Sequence, residues 1–194
     1  MSAAMSTSSE SAFSSREDAE QFLARALPLA TAANPGYVSK ADKAETRWLT
    51  KSIEFDDHPA GKGIRVIMDE EFSEVRAGVS KTGTHEAAFS LGEVRVSPHK
   101  DATAITEAGE PALGIIFNCV SPGCIQAKWN GVASSSDWTD IYLQDGAMRV
   151  RVLAAFEFLK SGGPKSPSCG RRRRARSIKA ALECTAEPFW REGP

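Results

Sequence analysis

Cys119 and Cys124 stand five positions apart around Ser121-Pro122-Gly123, and three chemistries compete for such a pair: a disulfide, half of a zinc site, or none. Structural zinc takes four ligands, commonly from two close pairs. The other cysteines, Cys169 and Cys184, are fifteen apart, so the second pair is missing and no zinc is expected. A disulfide needs the two Cβ atoms close and facing alike. If the flanking segments form a hairpin, a four-residue loop would set Cys119 against Cys124 and mix polar with apolar side chains on both faces. A three-residue loop would pair Cys119 with Ile125, Phe117 with Ala127 and Ile115 with Trp129, all apolar on one face. A one-residue slip flips every side chain, so burial selects the second register. Pro122 would then be the second loop residue, which a type I turn disfavours. The expectation is an unbonded pair, with Cys119 buried and Cys124 outward.

Asp56-Asp57-His58 is the densest polar cluster, and adjacent carboxylates beside an imidazole could bind a metal or act as acid and base. They precede Pro59 at a strand end, and neighbours on a strand point to opposite faces, so they read as a solvated turn. Glu70-Glu71 also alternate on a strand, which exposes one of them. His99, in SPHK, reads as a surface loop residue. His85 opens HEAAF, but the second histidine of a zinc-protease helix is replaced by Phe89. Gly78 to His85, GVSKTGTH, resembles a phosphate loop only in part. Thr84 stands where the lysine should, and strand patterns flank it, so a hairpin turn is expected. No G-x-S-x-G nucleophile elbow occurs.

Trp48, Trp129 and Trp138 fall in strand patterns, where aromatics are core or half-buried sheet, or line a ligand cleft. The remaining candidate is basic. Arg171, Arg172, Arg173, Arg174 and Arg176 could bind phosphates by releasing counterions, and Trp190 could stack on a base. Residues 161–194 carry 8 Lys and Arg against 3 Asp and Glu, whereas residues 1–160 carry 16 against 22. The acidic body repels a polyanion and argues against a phosphoinositide site. The basic tail could also lie on its own body.

These residues need elements to hold them. Residues 1–14 are Ser-rich and read as disordered. A helical segment over 15–45 follows, with Ser14 and Glu17 at capping-box spacing and Ala19, Phe22, Leu23, Ala26, Leu27 and Ala30 on one stripe. Pro28 should kink or end it. From 46 to 162 the pattern changes to short alternating segments: RWLTKSIEF, GIRVIMDEEF, AAFSLGEVRV, LGIIFNCV, CIQAKWN and SDWTDIYLQ. Parity switches at Gly92, which suggests a bulge. Asp145 is the expected cap of a second helix that stops at Gly162-Gly163-Pro164, and 163–194 form the basic tail.

The predicted class is α+β: an antiparallel sheet of six or seven strands curled into a small barrel or sandwich, an N-terminal helix and a capping C-terminal helix. From Thr46 to Gly162 this order resembles the pleckstrin-homology-like superfold. The pieces FNCVSPGCI, WTDIYLQD and AMRVRVLAAFEFL are similar to small uncharacterised bacterial β-rich modules. Such a superfold hosts many functions, so the resemblance implies a fold and no activity.

No run of about 18 apolar residues spans a membrane, and the N-terminus makes a poor secretory signal, so a soluble, cytoplasmic chain with reduced thiols is expected. With no coherent nucleophile, metal or phosphate motif, the sequence reads as a non-catalytic binding or protein-interaction module with no cofactor and an unknown protein partner. One alternative is nucleic-acid or anion binding through the tail. The other is a small enzyme assembled in space around Asp56, Asp57 and His58.

Overall fold

Two dipeptides set the pace of the chain. Ala77-Gly78 and Asn130-Gly131 each place two successive residues at positive φ, at 49° and 78° and at 48° and 81°. That geometry matches the twist of the strands it joins. Arg76 therefore pairs directly with Val79, and Trp129 with Val132.

The structure, a computed structural model, describes residues 13–34 and 36–162. Helix α1 (Arg16–Ala32) comes first, then β1 (Tyr37–Ser39), β2 (Glu45–Asp57), β3 (Ile64–Arg76) and β4 (Val79–Ser90). A 3-10 turn (Leu91–Glu93) leads to β5 (Val94–Ile105), β6 (Pro111–Cys119), β7 (Ile125–Trp129), β8 (Val132–Ser136), β9 (Trp138–Tyr142) and helix α2 (Gly146–Lys160). The class is α+β, with a helix at each end of an antiparallel sheet. The sheet has nine strands rather than six or seven. The additional strands are the short β1 and β8, whose VASSS carries too little apolar signal to read as a strand.

Strand order is β8-β7-β4-β3-β2-β1-β5-β6-β9. Six strand spacings separate β7 from β6, about 29 Å if the sheet were flat. The Cα atoms of Cys119 and Cys124, at the ends of those strands, are 5.6 Å apart. The sheet is thus curled until its ends meet at this corner. The edge strands β8 and β9 do not pair with each other, so it remains open and is not a barrel.

Both helices pack into the curl. Leu23 and Leu27 of α1 and Val152, Phe156 and Leu159 of α2 join Ile53, Val66, Met68, Phe89, Phe117 and Ile141 in one core. Phe117 meets Phe156 edge-on at 4.9 Å, and Arg151 lies 4.7 Å over the Phe22 ring, which ties α2 to α1.

Several local expectations shift. The cap of α1 is Ser15, whose side chain accepts from the Asp18 amide, one residue later than the Ser14–Glu17 reading. Asp18 instead reaches back to the Ser14 amide at 3.1 Å. Pro28 does not end the helix, which runs on to Ala32. The carbonyl that loses its usual donor belongs to Ala24, on the exposed side. Gly92 marks the 3-10 turn rather than a bulge. The bulge lies in β2, where pairing with β3 skips a residue between Thr50 and Ser52. Only Gly78 of the GVSKTGTH segment belongs to a turn, at Ala77-Gly78, and Val79 to His85 lie in β4. Asp145 caps α2 as expected, accepting from the Met148 amide at 2.9 Å.

The cysteine expectation is overturned: Cys119 and Cys124 form a disulfide, and both are half-buried. The register argument failed because its hairpin does not exist. β6 pairs with β5 and β9, and β7 pairs with β4 and β8. The loop between them crosses from one end of the curled sheet to the other. Gly123 does take the left-handed conformation, at φ 72°.

Candidate functional site

Along a strand, alternate residues share a face. On β3 the inward series is Ile64, Val66, Met68 and then Glu70, and all four are buried. On β4 the partners of the last three are Phe89, Ala87 and His85. The same face that is hydrocarbon core at one end therefore becomes polar at the other. The bulge in β2 keeps this face in register: Ile53 pairs with Met68, and beyond the skipped residue Thr50 pairs with Glu70 and Trp48 with Phe72.

The polar end opens into a cavity of about 180 Å³. Trp48, Glu70, His85, Ile125, Ala127 and Trp129 line it from β2, β3, β4 and β7. Ser136, Trp138, Thr139, Asp140 and Tyr142 close it from β8 and β9, across the gap between the ends of the sheet. The aromatic walls are well ordered by mutual contact. Trp48 and Trp129 meet at 5.6 Å with ring planes 79° apart, which forms a corner. His85 lies 4.3 Å from Trp129 on one side and 5.8 Å from Trp48 on the other.

The two carboxylates of the cavity differ in how they are satisfied. Glu70 Oε2 is 2.9 Å from His85 Nδ1 in a buried hydrogen bond. Burial pushes the Glu70 carboxyl above its ordinary value, opposed by His85 and by the Thr50 hydroxyl. Asp140 has no such partner. Its side chain is only 14% exposed, and its Oδ2 is sealed from solvent without a hydrogen bond among the described residues. His99 Nε2 stands 3.7 Å from that oxygen. The Tyr142 hydroxyl donates to Asp101 Oδ2 at 3.0 Å instead. Burial, then the charge of Glu70, raises Asp140 to about 7, with the nearby Tyr142 hydroxyl opposing.

The surroundings hold these groups in place. Tyr142 packs on Tyr37 at 4.6 Å, and Asn34 beyond the end of α1 donates to the Tyr37 hydroxyl and to the Tyr142 carbonyl. Burial opposes charge on Asp101, but bonds of 2.7 Å from the Thr103 amide and hydroxyl outweigh it, so Asp101 is held below its ordinary value. At the seam, the Cys119 amide donates to the Asp137 carbonyl at 2.8 Å and the Gly123 amide to its carboxylate at 2.7 Å. Asp137 separates Ser136 from Trp138, so the disulfide loop fixes the rim of the cavity.

The sequence candidates fare unevenly. Asp56, Asp57 and His58 do not converge. Asp57 pairs with Arg16 at the start of α1, and His58 Nδ1 accepts from the Ala60 amide at 3.1 Å within its turn. Asp57 and His58 line an open cavity of about 320 Å³ that Asp56 does not reach. Glu70 is buried and Glu71 exposed, as alternation requires. His99 is not a loop residue: it lies in β5, and the side chain is 25% exposed. Trp48, Trp129 and Trp138 all reach the cavity. Asp140 was not singled out by sequence, although WTDIY put a carboxylate on a strand pattern between Thr139 and Ile141, both of which are buried. Arg171 to Arg174, Arg176, Cys169, Cys184 and Trp190 lie outside the described residues.

Among the described residues, no group of three or more His, Cys, Asp or Glu side chains could hold a metal ion, and no helix is long and apolar enough to cross a membrane. No family model, curated protein or solved structure matches the chain.

Proposed function

We propose that this chain is a non-catalytic binding module whose ligand is a small molecule held in the cavity at the seam of the curled sheet. The observation that carries the reading is the meeting of three tryptophans with one buried and one mostly buried carboxylate in one concavity. A mostly apolar concavity with a few convergent polar groups is the usual form of a ligand site. Its volume of about 180 Å³ is close to that of an engineered cavity of about 150 Å³ that takes up benzene, so a small ligand is appropriate.

The enzyme alternative moves with the geometry, away from Asp56, Asp57 and His58. It would use Glu70 and Asp140 as acid and base, since both are raised toward neutrality. The binding reading is preferred because two lining hydroxyls are engaged away from these acids, Ser136 donating to the Trp138 carbonyl at 2.6 Å and Tyr142 to Asp101 at 3.0 Å.

Indole N–H signals of Trp48, Trp129 and Trp138 test the reading directly. Titrating the full chain with a fragment set of cationic, neutral and anionic members should shift these three signals together. A set that leaves all three unmoved would sink the proposal.

A further inference from the structure

One of the buried acceptors without a hydrogen bond among the described residues lies at this cavity. Asp140 is a mostly buried carboxylate whose imidazole neighbour, His99, stands 3.7 Å from Oδ2, beyond hydrogen-bond reach, whereas Glu70 beside it meets His85 at 2.9 Å. A buried carboxylate that lacks donors is costly unless something supplies them. The walls around it belong to one chemistry. Trp48 and Trp129 stand nearly perpendicular, and Trp138 joins them at the more exposed rim, 54% accessible. Indole faces attract cations within about 6 Å, more strongly when water is excluded. An anion would meet Glu70, Asp140 and the indoles, all of which repel it. A neutral apolar ligand would fill the space and leave the carboxylate unpaired.

We propose that the ligand of this cavity is a small organic cation, a primary ammonium on a short alkyl or aryl body, with its nitrogen against the Asp140 carboxylate and its carbon chain against the tryptophans. The inference rests on the binding reading above and names the ligand class for the same site. A primary ammonium fits better than a quaternary one because its N–H groups can donate to the Asp140 carboxylate. The cavity limits the body to roughly six to eight non-hydrogen atoms, judged against the benzene-sized precedent.

The groups facing Asp140 come from several elements: Glu70 on β3, His85 on β4, His99 and Asp101 on β5, and Tyr142 on β9 itself. Protonating Asp140 removes the charge that selects the cation. An aliphatic ammonium, with a lysine-like pKa of about 10.4, stays charged throughout the neutral range. Preference for a cation over a neutral isostere should therefore grow as pH rises through about 7.

The test uses three matched probes with the full chain: n-butylammonium, 1-butanol and butyrate, followed by the indole signals of Trp48, Trp129 and Trp138 at about pH 8. The expected result is butylammonium binding at least about tenfold tighter than butanol, with butyrate weakest. Asp140→Asn, nearly isosteric, should abolish most of that preference while butanol still shifts the indoles. The comparison among probes on the unaltered chain decides the matter even where the variant fails to fold. Butanol or butyrate binding as tightly as the cation would overturn the ligand class and leave the binding module standing. Silence of the indoles to every probe would overturn both.

Discussion

Glu70 and His85 sit directly opposite one another on adjacent strands, and their side chains meet at 2.9 Å with only 4% and 8% of their surface exposed. Each is the other's principal polar partner in a place where hydrocarbon surrounds them on the same face. Removing one member therefore strands the other.

His85→Ala should cost about 3–5 kcal/mol at neutral pH, because Glu70 is left buried without its partner. Glu70→Gln in the same background should recover more than half of that loss. A double-mutant cycle from urea midpoints measures this, and independent, additive costs for the two changes would contradict the coupling.

Asp140 makes stability fall with pH. Its folded value of about 7 is above the ordinary 3.8, so between these values the folded state holds a proton that the unfolded chain has released. Stability from this group is complete below about pH 4 and is lost as pH rises through about 7. Asp140→Asn should accordingly be more stable than the parent above pH 7, by about 4 kcal/mol at most, with the gap closing toward pH 4. Because Glu70, His85, His99, Asp101 and Tyr142 surround it, the comparison is made as the difference between the two proteins at each pH. A constant difference from pH 4 to 8 would rule the assignment out.

The disulfide closes a short loop, so its entropic effect is modest. The Cys119→Ser, Cys124→Ser double variant should lose about 2 kcal/mol by the loop-closure relation. Its distinctive mark lies at the rim: amide exchange at Cys119 and Gly123, which hold Asp137, should accelerate more than exchange at Met68 or Ala87 in the core. Uniform acceleration across all four amides would mean that the bond does not act locally at the seam.

Gly114→Ala tests the joint between β6 and β9. A Cβ there would stand 2.3 Å from the Ile141 carbonyl oxygen, a backbone atom that cannot turn aside. A loss of at least about 1–3 kcal/mol is expected, together with loss of exchange protection at β9 amides. Protection retained along β9 would show that the strand accommodates the methyl.

Much of this architecture is legible before folding. Alternation in GIRVIMDEEF and in AAFS placed the inward residues of β3 and β4 correctly, and it separated Glu70 from Glu71. Asp145 announced α2. What alternation cannot supply is which strands become neighbours. The segments around Cys119 and Cys124 look like a hairpin because they are adjacent in sequence and both alternate. Their true partners lie on opposite sides of a curled sheet, a long-range fact invisible to local pattern. The cavity at the seam is hidden for the same reason. Asp56, Asp57 and His58 attract attention by being contiguous, whereas Glu70 and His85 meet across β3 and β4 and Asp140 joins them only where the ends of the sheet approach. Trp48, Trp129 and Trp138 gave the one usable hint, since all three proved to line a single space.

The passage from β8 to β9 through Asp137 alone bears on how the molecule avoids its own kind. An open sheet has two unpaired borders, and each is a template for a neighbour's strand. Here both borders are five residues long and consecutive in the chain, so they end at a common point that the disulfide loop anchors. An approaching copy meets only a short strand at either border. The curl that builds the cavity thus also brings both short borders to one corner of the molecule.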